Sequence, residues 1–340
     1  MFFGQTVKIL SIDGGGIRGL IPLYLLKEIE KRLVIAKKHQ SFCHIFDLMA
    51  GTSTGGIIAL GLSCPQASSE VPGQYLNQPA LTVDKLLDFY QNKGPLIFPH
   101  QMIDTIRNVT QAFQDKYQTK ALNLALEETF QDTPLSSALC NILIPAFEMS
   151  MEQPFFFKKR PAKYKGRHNQ DFLMRHVARA TSAAPTYFRP AKISPIGDEK
   201  LEYCFVDGMI FAHNPALSAY IEARKIFPRA KKIILVSLGT GQIHQDYHYE
   251  RIKKWGFLDW ISPANGTPLI TSMMYGQSES THYYLSKLPR LEYIRIDDVL
   301  NYGSRAIDDA TEKNITALKN QSEILIENFD REINRIVKIL

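Results

Sequence analysis

Twice within the first sixty residues a short apolar run breaks off at a cluster of glycines and resumes as a helix, and this repetition constrains the fold most. Val7 to Ile12 is β-branched and apolar and stops at Asp13-Gly14-Gly15-Gly16; Ile45 to Ala50 is apolar and stops at Gly51-Thr52-Ser53-Thr54-Gly55-Gly56. After the first run, Ile21, Leu25, Ile29 and Leu33 recur every four residues with Lys27, Glu28, Glu30, Lys31 and Arg32 on the other side, which predicts a helix with one stripe on a sheet. Pro22 falls in its first turn, where a missing N–H does no harm. After the second run comes the apolar helix start Ile57-Ile58-Ala59-Leu60. A continuous apolar run suits a strand buried on both faces, so two such units predict an α/β fold with a mainly parallel central sheet and helices on both faces.

Further along, Pro65 to Pro79 is rich in Pro, Ser, Gln and Gly and reads as an exposed loop, and Leu81 to about Gln118 reads as helical and as a candidate lid. Asn141 to Lys158 holds two apolar runs that suggest paired strands, with Phe155-Phe156-Phe157 as core. Glu202 to Val206 and Lys232 to Leu238 are further strands, ending at Asp207-Gly208 and Gly239-Thr240-Gly241. The last forty residues carry helical spacing. With no internal repeat, low-complexity tract or linker, residues 1–340 are expected to form a single domain, with a motif-bearing core over about 5–241 and a helical extension over about 242–340.

Three of the turns carry chemistry, and each follows a predicted strand, so all can converge at the C-terminal edge of a parallel sheet, where such folds bind ligands. Gly51-Thr52-Ser53-Thr54-Gly55 matches G-x-S-x-G, which lifts a serine hydroxyl out of the sheet on a strained turn; the flanking glycines are required because strand and helix crowd together. Alone, such a pentapeptide also fits a glycine-rich helix start. Asp13-Gly14-Gly15-Gly16-Ile17-Arg18-Gly19 has two readings. Through Gly14, Gly16 and Gly19 it fits a dinucleotide fingerprint and a nucleotide-dependent oxidoreductase. Against this, Asp13 would face a pyrophosphate, and no acidic residue closes a second strand at about 20 residues' distance. The other reading is an oxyanion hole, in which consecutive glycines turn backbone N–H groups toward one oxygen and Arg18 adds positive charge. Ser53 also needs a base. Asp207 ends a strand before Gly208 and can face Ser53; as an isolated residue it equally fits a turn aspartate. His213, before Asn214-Pro215, is the rival base of a triad.

Taken together these motifs resemble the patatin-like phospholipase, or lipid acyl hydrolase, family. Asp13 to Gly19 is similar to its glycine-rich oxyanion motif, Gly51 to Gly56 to its nucleophile elbow and Asp207-Gly208 to its catalytic aspartate motif. Ala180 to Phe188 resembles a segment near the site, and Trp255-Gly256-Phe257-Leu258 and Tyr293-Ile294-Arg295-Ile296 look like plant patatins. Met209 departs from the family, which has glycine or alanine after Asp-Gly. The resemblance implies a three-layer patatin-like fold and a serine hydrolase of phospholipids or related glycerolipids. Ser53 and Asp207 would form a catalytic dyad, Gly14, Gly15, Gly16 and Arg18 the oxyanion hole, and Gly19, Gly51, Gly55 and Gly208 the structural glycines. No cofactor and no metal are expected. A catalytically silent lipid-binding module is the other alternative.

Composition narrows the remainder. The four cysteines, Cys43, Cys64, Cys140 and Cys204, form no CxxC pair or zinc spacing, which fits free thiols in a reducing compartment. A net charge of +6 is modest, and no nucleic acid is expected as partner. Lys158, Lys159, Arg160, Lys163, Lys165 and Arg167 read as a solvated loop or a contact for anionic lipid. No apolar run approaches the roughly 18 residues of a membrane span, and the start lacks a signal-peptide pattern. The expectation is a cytoplasmic or peripheral protein in transient contact with the membrane or micelle that presents its lipid substrate.

Overall fold

The first strand sets the layering. In β1 (Thr6–Ile12) Val7 and Ile9 face one side and Leu10 and Ile12 the other, all buried, so the sheet is covered on both faces. The computed structural model describes residues 5–99, 119–159, 170–243, 247–262 and 265–340. Next come β2 (Leu48–Gly51), β3 (Pro65–Ala67), β4 (Tyr75–Pro79), β5 (Asn141–Glu148), β6 (Gln153–Lys158), β7 (Ala191–Ile193), β8 (Tyr203–Asp207), β9 (Lys232–Leu238) and β10 (Leu291–Ile296). Eight of them make one sheet in the order β10-β9-β1-β2-β5-β8-β7, with β6 also on β5. The block from β10 to β5 is parallel, and β6, β7 and β8 run antiparallel to their neighbours.

The helices that matter below are α1 (Leu20–Ile35), α2 (Thr54–Ser63), α3 (Thr119–Phe130), α4 (Met174–Thr181), α5 (Met209–Ala212), α6 (Ala216–Ile226), α7 (Phe257–Ile261), α8 (Pro268–Lys287), α9 (Glu312–Asn328) and α10 (Asp330–Ile339). One face of the sheet carries α1, α2, α9 and α10 through Ile21, Leu25, Ile58, Leu318 and Ile333. The other carries α6 and α8 through Ala216, Ala219, Ala223 and Leu285, where the small alanines let α6 lie close to the strands. This is a three-layer α/β arrangement around the parallel sheet the glycine-broken runs predict.

Several expectations shift. The run from Ile45 becomes strand only at Leu48: Phe42–Ile45 is a helical turn, and the Asp47 carboxylate accepts the Lys8 N–H before parallel pairing begins at Ile9 and Leu48. Pro65 to Pro79 is an exposed two-stranded hairpin rather than an open loop. From Val83 to Ile97 the chain is helical, with a wider π turn at Phe89–Lys93. The candidate lid beyond it, 100–118, lies outside the described residues, as do the basic positions Arg160, Lys163, Lys165 and Arg167. Lys158 is paired with Glu222. The part after 241 is not only helical, because β10 extends the sheet beside β9.

The edges of β5 decide where the site forms. β6 occupies one edge over Leu143–Glu148, so β2 (at Asn141–Leu143) and β8 (at Ala146–Glu148) must share the other. They run toward each other along it, and their C-terminal ends, Gly51 and Asp207, meet head to head across Pro145.

Candidate active site

Ser53 has φ 55° and ψ −121°, in the region that side chains other than glycine avoid, and the strain is of order 1–3 kcal/mol. Crowding imposes it. A Cβ on Gly51 would lie 2.0 Å from the Gly55 carbonyl oxygen, and one on Gly55 would lie 2.2 Å from that of Ile12, so strand and helix touch only because both residues are glycine. The turn is held from outside: the Ser53 N–H donates to the Thr181 hydroxyl (3.0 Å), which donates to the Pro145 carbonyl (2.6 Å) in the gap between β2 and β8.

Asp207 is fully buried at the facing strand end. Its Oδ1 accepts the Met209 N–H at 2.9 Å. Burial pushes its pKa up to about 7, against the Met209 N–H and the Ser53 hydroxyl, which favour the ionised form. By strict geometry Oδ2 has no hydrogen-bond partner among the described residues, although the Ser53 hydroxyl is near enough to act on the carboxyl. The two observations place the Ser53 hydroxyl beside the Asp207 carboxyl without a well-aligned hydrogen bond between them. The edge rule for parallel sheets does not explain this placement, since β8 is antiparallel; the head-to-head ends of β2 and β8 do. Gly208 must lack a side chain because its Cβ would sit 2.5 Å from the Pro145 oxygen.

The glycine loop lines the same cavity, but its members differ. The Gly14 N–H is taken by the His213 carbonyl at 3.1 Å, so Gly14 is not an open oxyanion donor. Among the described residues the Gly15 and Gly16 N–H groups have no backbone acceptor, and the Thr54 N–H at the start of α2 has none either. Arg18 does not reach the cavity: it is buried, and its Nη1 donates to the Gly241 carbonyl at 3.3 Å. Gly15 makes room for Thr240, whose Oγ1 would lie 2.3 Å from an added Cβ and which donates to the Gly14 carbonyl at 2.6 Å. Gly16, at φ 59°, sits against the Ile307 carbonyl, and Gly19 against Thr54. His213 is buried and lines the cavity; burial, Arg18 and Arg295 push its pKa down to about 3, which favours the neutral ring.

Asp13 turns away from the cavity. Its carboxylate takes both guanidinium nitrogens of Arg295 (2.9 and 2.6 Å), which also holds Asp297 (2.9 Å) and Ser237 (2.8 Å), and Asp297 accepts the Gly241 N–H (3.0 Å). Burial and the nearby Asp297 charge raise Asp13, and the two carboxylates raise Arg295. With Asp13 so committed and the Gly14 N–H occupied, the loop offers little of a pyrophosphate cradle. Thr181 lies in the Ala180–Phe188 segment that the resemblance places near the site, whereas Thr240 and Arg295 had no site role in the motif reading, because each reaches the site from a distant part of the chain.

A cleft of about 710 Å³, part of it open to solvent, runs from these groups between the elbow and the segment from Phe89 to Phe98. Ile57, Phe89, Ile97, Leu122 and Phe188 make its wall apolar.

The family model for patatin-like phospholipases matches residues 10–220. Patatin-like protein 2 of Arabidopsis thaliana is 31% identical, covering 98% of this chain and 86% of its own length. Its counterpart of the same name in Oryza sativa subsp. indica is 32% identical with the same coverage, and Patatin-08 of Solanum tuberosum is 28% identical over 99% of this chain and 90% of its own. The chain belongs to the patatin-like phospholipase family.

Proposed function

We propose that this protein is a serine lipid acyl hydrolase that cleaves fatty-acyl esters of phospholipids or related glycerolipids, with Ser53 as nucleophile and Asp207 as base. The observation that carries the reading is a serine on a strained elbow meeting a buried, weakly acidic carboxylate at the end of an apolar cleft. An ordinary aspartate is too weak a base near neutrality; raised to about 7, Asp207 can take the Ser53 proton as the hydroxyl attacks the ester carbonyl. The N–H groups of Gly15, Gly16 and Thr54 are the available donors for the oxyanion, and a helix N-terminus adds to their field. The alcohol leaves with the proton, and water, activated by the same carboxylate, releases the fatty acid from the acyl-enzyme. No metal or cofactor enters these steps.

His213 is a poor base in comparison, since burial and the nearby Arg18 and Arg295 charges push the pKa of its ring down to about 3, so it holds a proton only weakly. The test is hydrolysis of a short-chain ester in EDTA. Ser53→Ala and Asp207→Asn are each expected to lose at least about a thousandfold in kcat, and the double variant no more, because the two act as a unit. His213→Ala retains activity. Loss of activity in His213→Ala with retention in Asp207→Asn would reverse the assignment. A folded wild-type protein that binds phospholipid but turns over no ester would favour the silent lipid-binding module.

A further inference from the structure

Resting on the reading above, we infer that the exposed apolar tip formed by α7 and the first turns of α8 is the surface by which the protein docks on a phospholipid bilayer. Phe257 is 76% exposed and Leu258 74%, adjacent on a five-residue helix, and Ile261 follows one turn on. Exposed large apolar side chains are ordinary singly, whereas a contiguous group marks a contact surface. Both tryptophans of the chain stand behind this tip: Trp255 and Trp260 pack edge to face at 5.3 Å, with Tyr247 on the far side of Trp255, also at 5.3 Å. Trp and Tyr are the side chains that settle at the headgroup level.

Charge and position point to lipid. Arg251, Lys253 and Lys254 flank the tip and are exposed, with the Arg251 guanidinium over the Trp255 ring. Glu250 is paired with Lys253, and Asp259 accepts the Gly256 N–H at the helix start and keeps its charge, so the excess of positive charge at the tip comes from Arg251 and Lys254 over Asp259. Cations around an aromatic wedge suit an anionic leaflet. The tip is also continuous with the cleft through α8: Met273 is 55% exposed on the same helix face as exposed Leu269, and the next residue, Met274, lines the cleft. Gln277, a turn further on, donates to the Ile210 carbonyl of α5 at 2.8 Å and ties α8 to the Asp207 side of the site. An acyl chain drawn out of a bilayer under this tip would thus pass along α8 toward Ser53.

The test uses the full chain carrying Ser53→Ala, so that no product accumulates, with phosphatidylcholine vesicles containing phosphatidylglycerol. The expected results are co-sedimentation with vesicles and a blue shift of tryptophan emission, which in this chain reports only on Trp255 and Trp260. The paired substitution Phe257→Ser, Leu258→Ser should weaken vesicle binding at least about tenfold. In the Ser53 background the same pair should leave hydrolysis of a water-soluble short-chain ester unchanged while slowing hydrolysis of vesicle phospholipid. Because vesicle binding is read without turnover, a failure of the hydrolase reading shows in the ester assay alone. Vesicle binding of the paired variant equal to wild type, or vesicle binding with no change in tryptophan emission, overturns the proposal. So does a wild-type dimer that the pair converts to monomer with lipid affinity intact, since the tip would then serve a second copy of the chain.

Discussion

At the scale of single residues, Asp207 couples activity and stability to pH in opposite directions. In the proposed mechanism Ser53 needs the ionised carboxylate, so kcat/KM on a soluble ester should rise with pH and level off above about 7, the value to which burial pushes the group. Stability should move the other way. The folded protein holds the Asp207 proton more tightly than the unfolded chain, so this contribution is full below about pH 4 and is lost as pH rises through about 7. Melting temperatures of wild type and Asp207→Asn, compared at about pH 5 and about pH 8, should show the asparagine variant gaining on wild type at the higher pH. A constant difference would mean that the carboxyl titrates as it does in the unfolded chain. Gly15 gives a second test. What forbids a side chain at Gly15 is Thr240, whose hydroxyl and Cβ occupy the space an added Cβ would take. Gly15→Ala should therefore lower kcat about a hundredfold to a thousandfold by displacing an oxyanion donor. Adding Thr240→Gly, which removes the clashing side chain, should recover part of that loss. Absence of any recovery in a folded double variant would place the effect elsewhere.

At the scale of elements, what could be read in the sequence was what is enforced locally. The elbow was legible because Gly51 and Gly55 are demanded by contacts within a few residues of Ser53 and with the adjoining strand. The strand ending at Asp207 was legible too, but its direction was not, since polarity is set by how β5 divides its edges among β2, β6 and β8. The glycine loop proposed to hold the oxyanion was half legible. Its glycines were plain, yet which N–H is spent on His213 and where Arg18 goes depend on partners about 200 residues away. The same holds for Arg295, which reaches from β10 to Asp13 immediately before the loop and to Asp297, which holds Gly241. Removing one partner of such a buried pair leaves an uncompensated charge, commonly costing about 3–5 kcal/mol. Arg295→Gln should lower the melting temperature markedly and reduce kcat more than it raises KM, with Arg295→Lys intermediate. An Arg295→Gln protein with wild-type kcat and an unchanged melting temperature would show that the oxyanion loop holds its shape without β10.

At the scale of the whole molecule, two glycine-broken apolar runs were enough to predict a parallel α/β sheet, because strands buried on both faces leave few other architectures, and the three layers came with the family resemblance. The runs were not enough to place β10, whose Leu291, Tyr293 and Ile296 continue both cores beyond the motif-bearing region. Among the described residues no helix is long and apolar enough to cross a membrane. Activation of Ser53 by Asp207 can be read in the intact mass of the protein after reaction with a fluorophosphonate. A single adduct is expected, on Ser53 by peptide mapping, forming faster as pH rises through about 7, with almost no adduct in Asp207→Asn. An adduct on another residue, or labelling of Ser53 at the wild-type rate in Asp207→Asn, would contradict that activation.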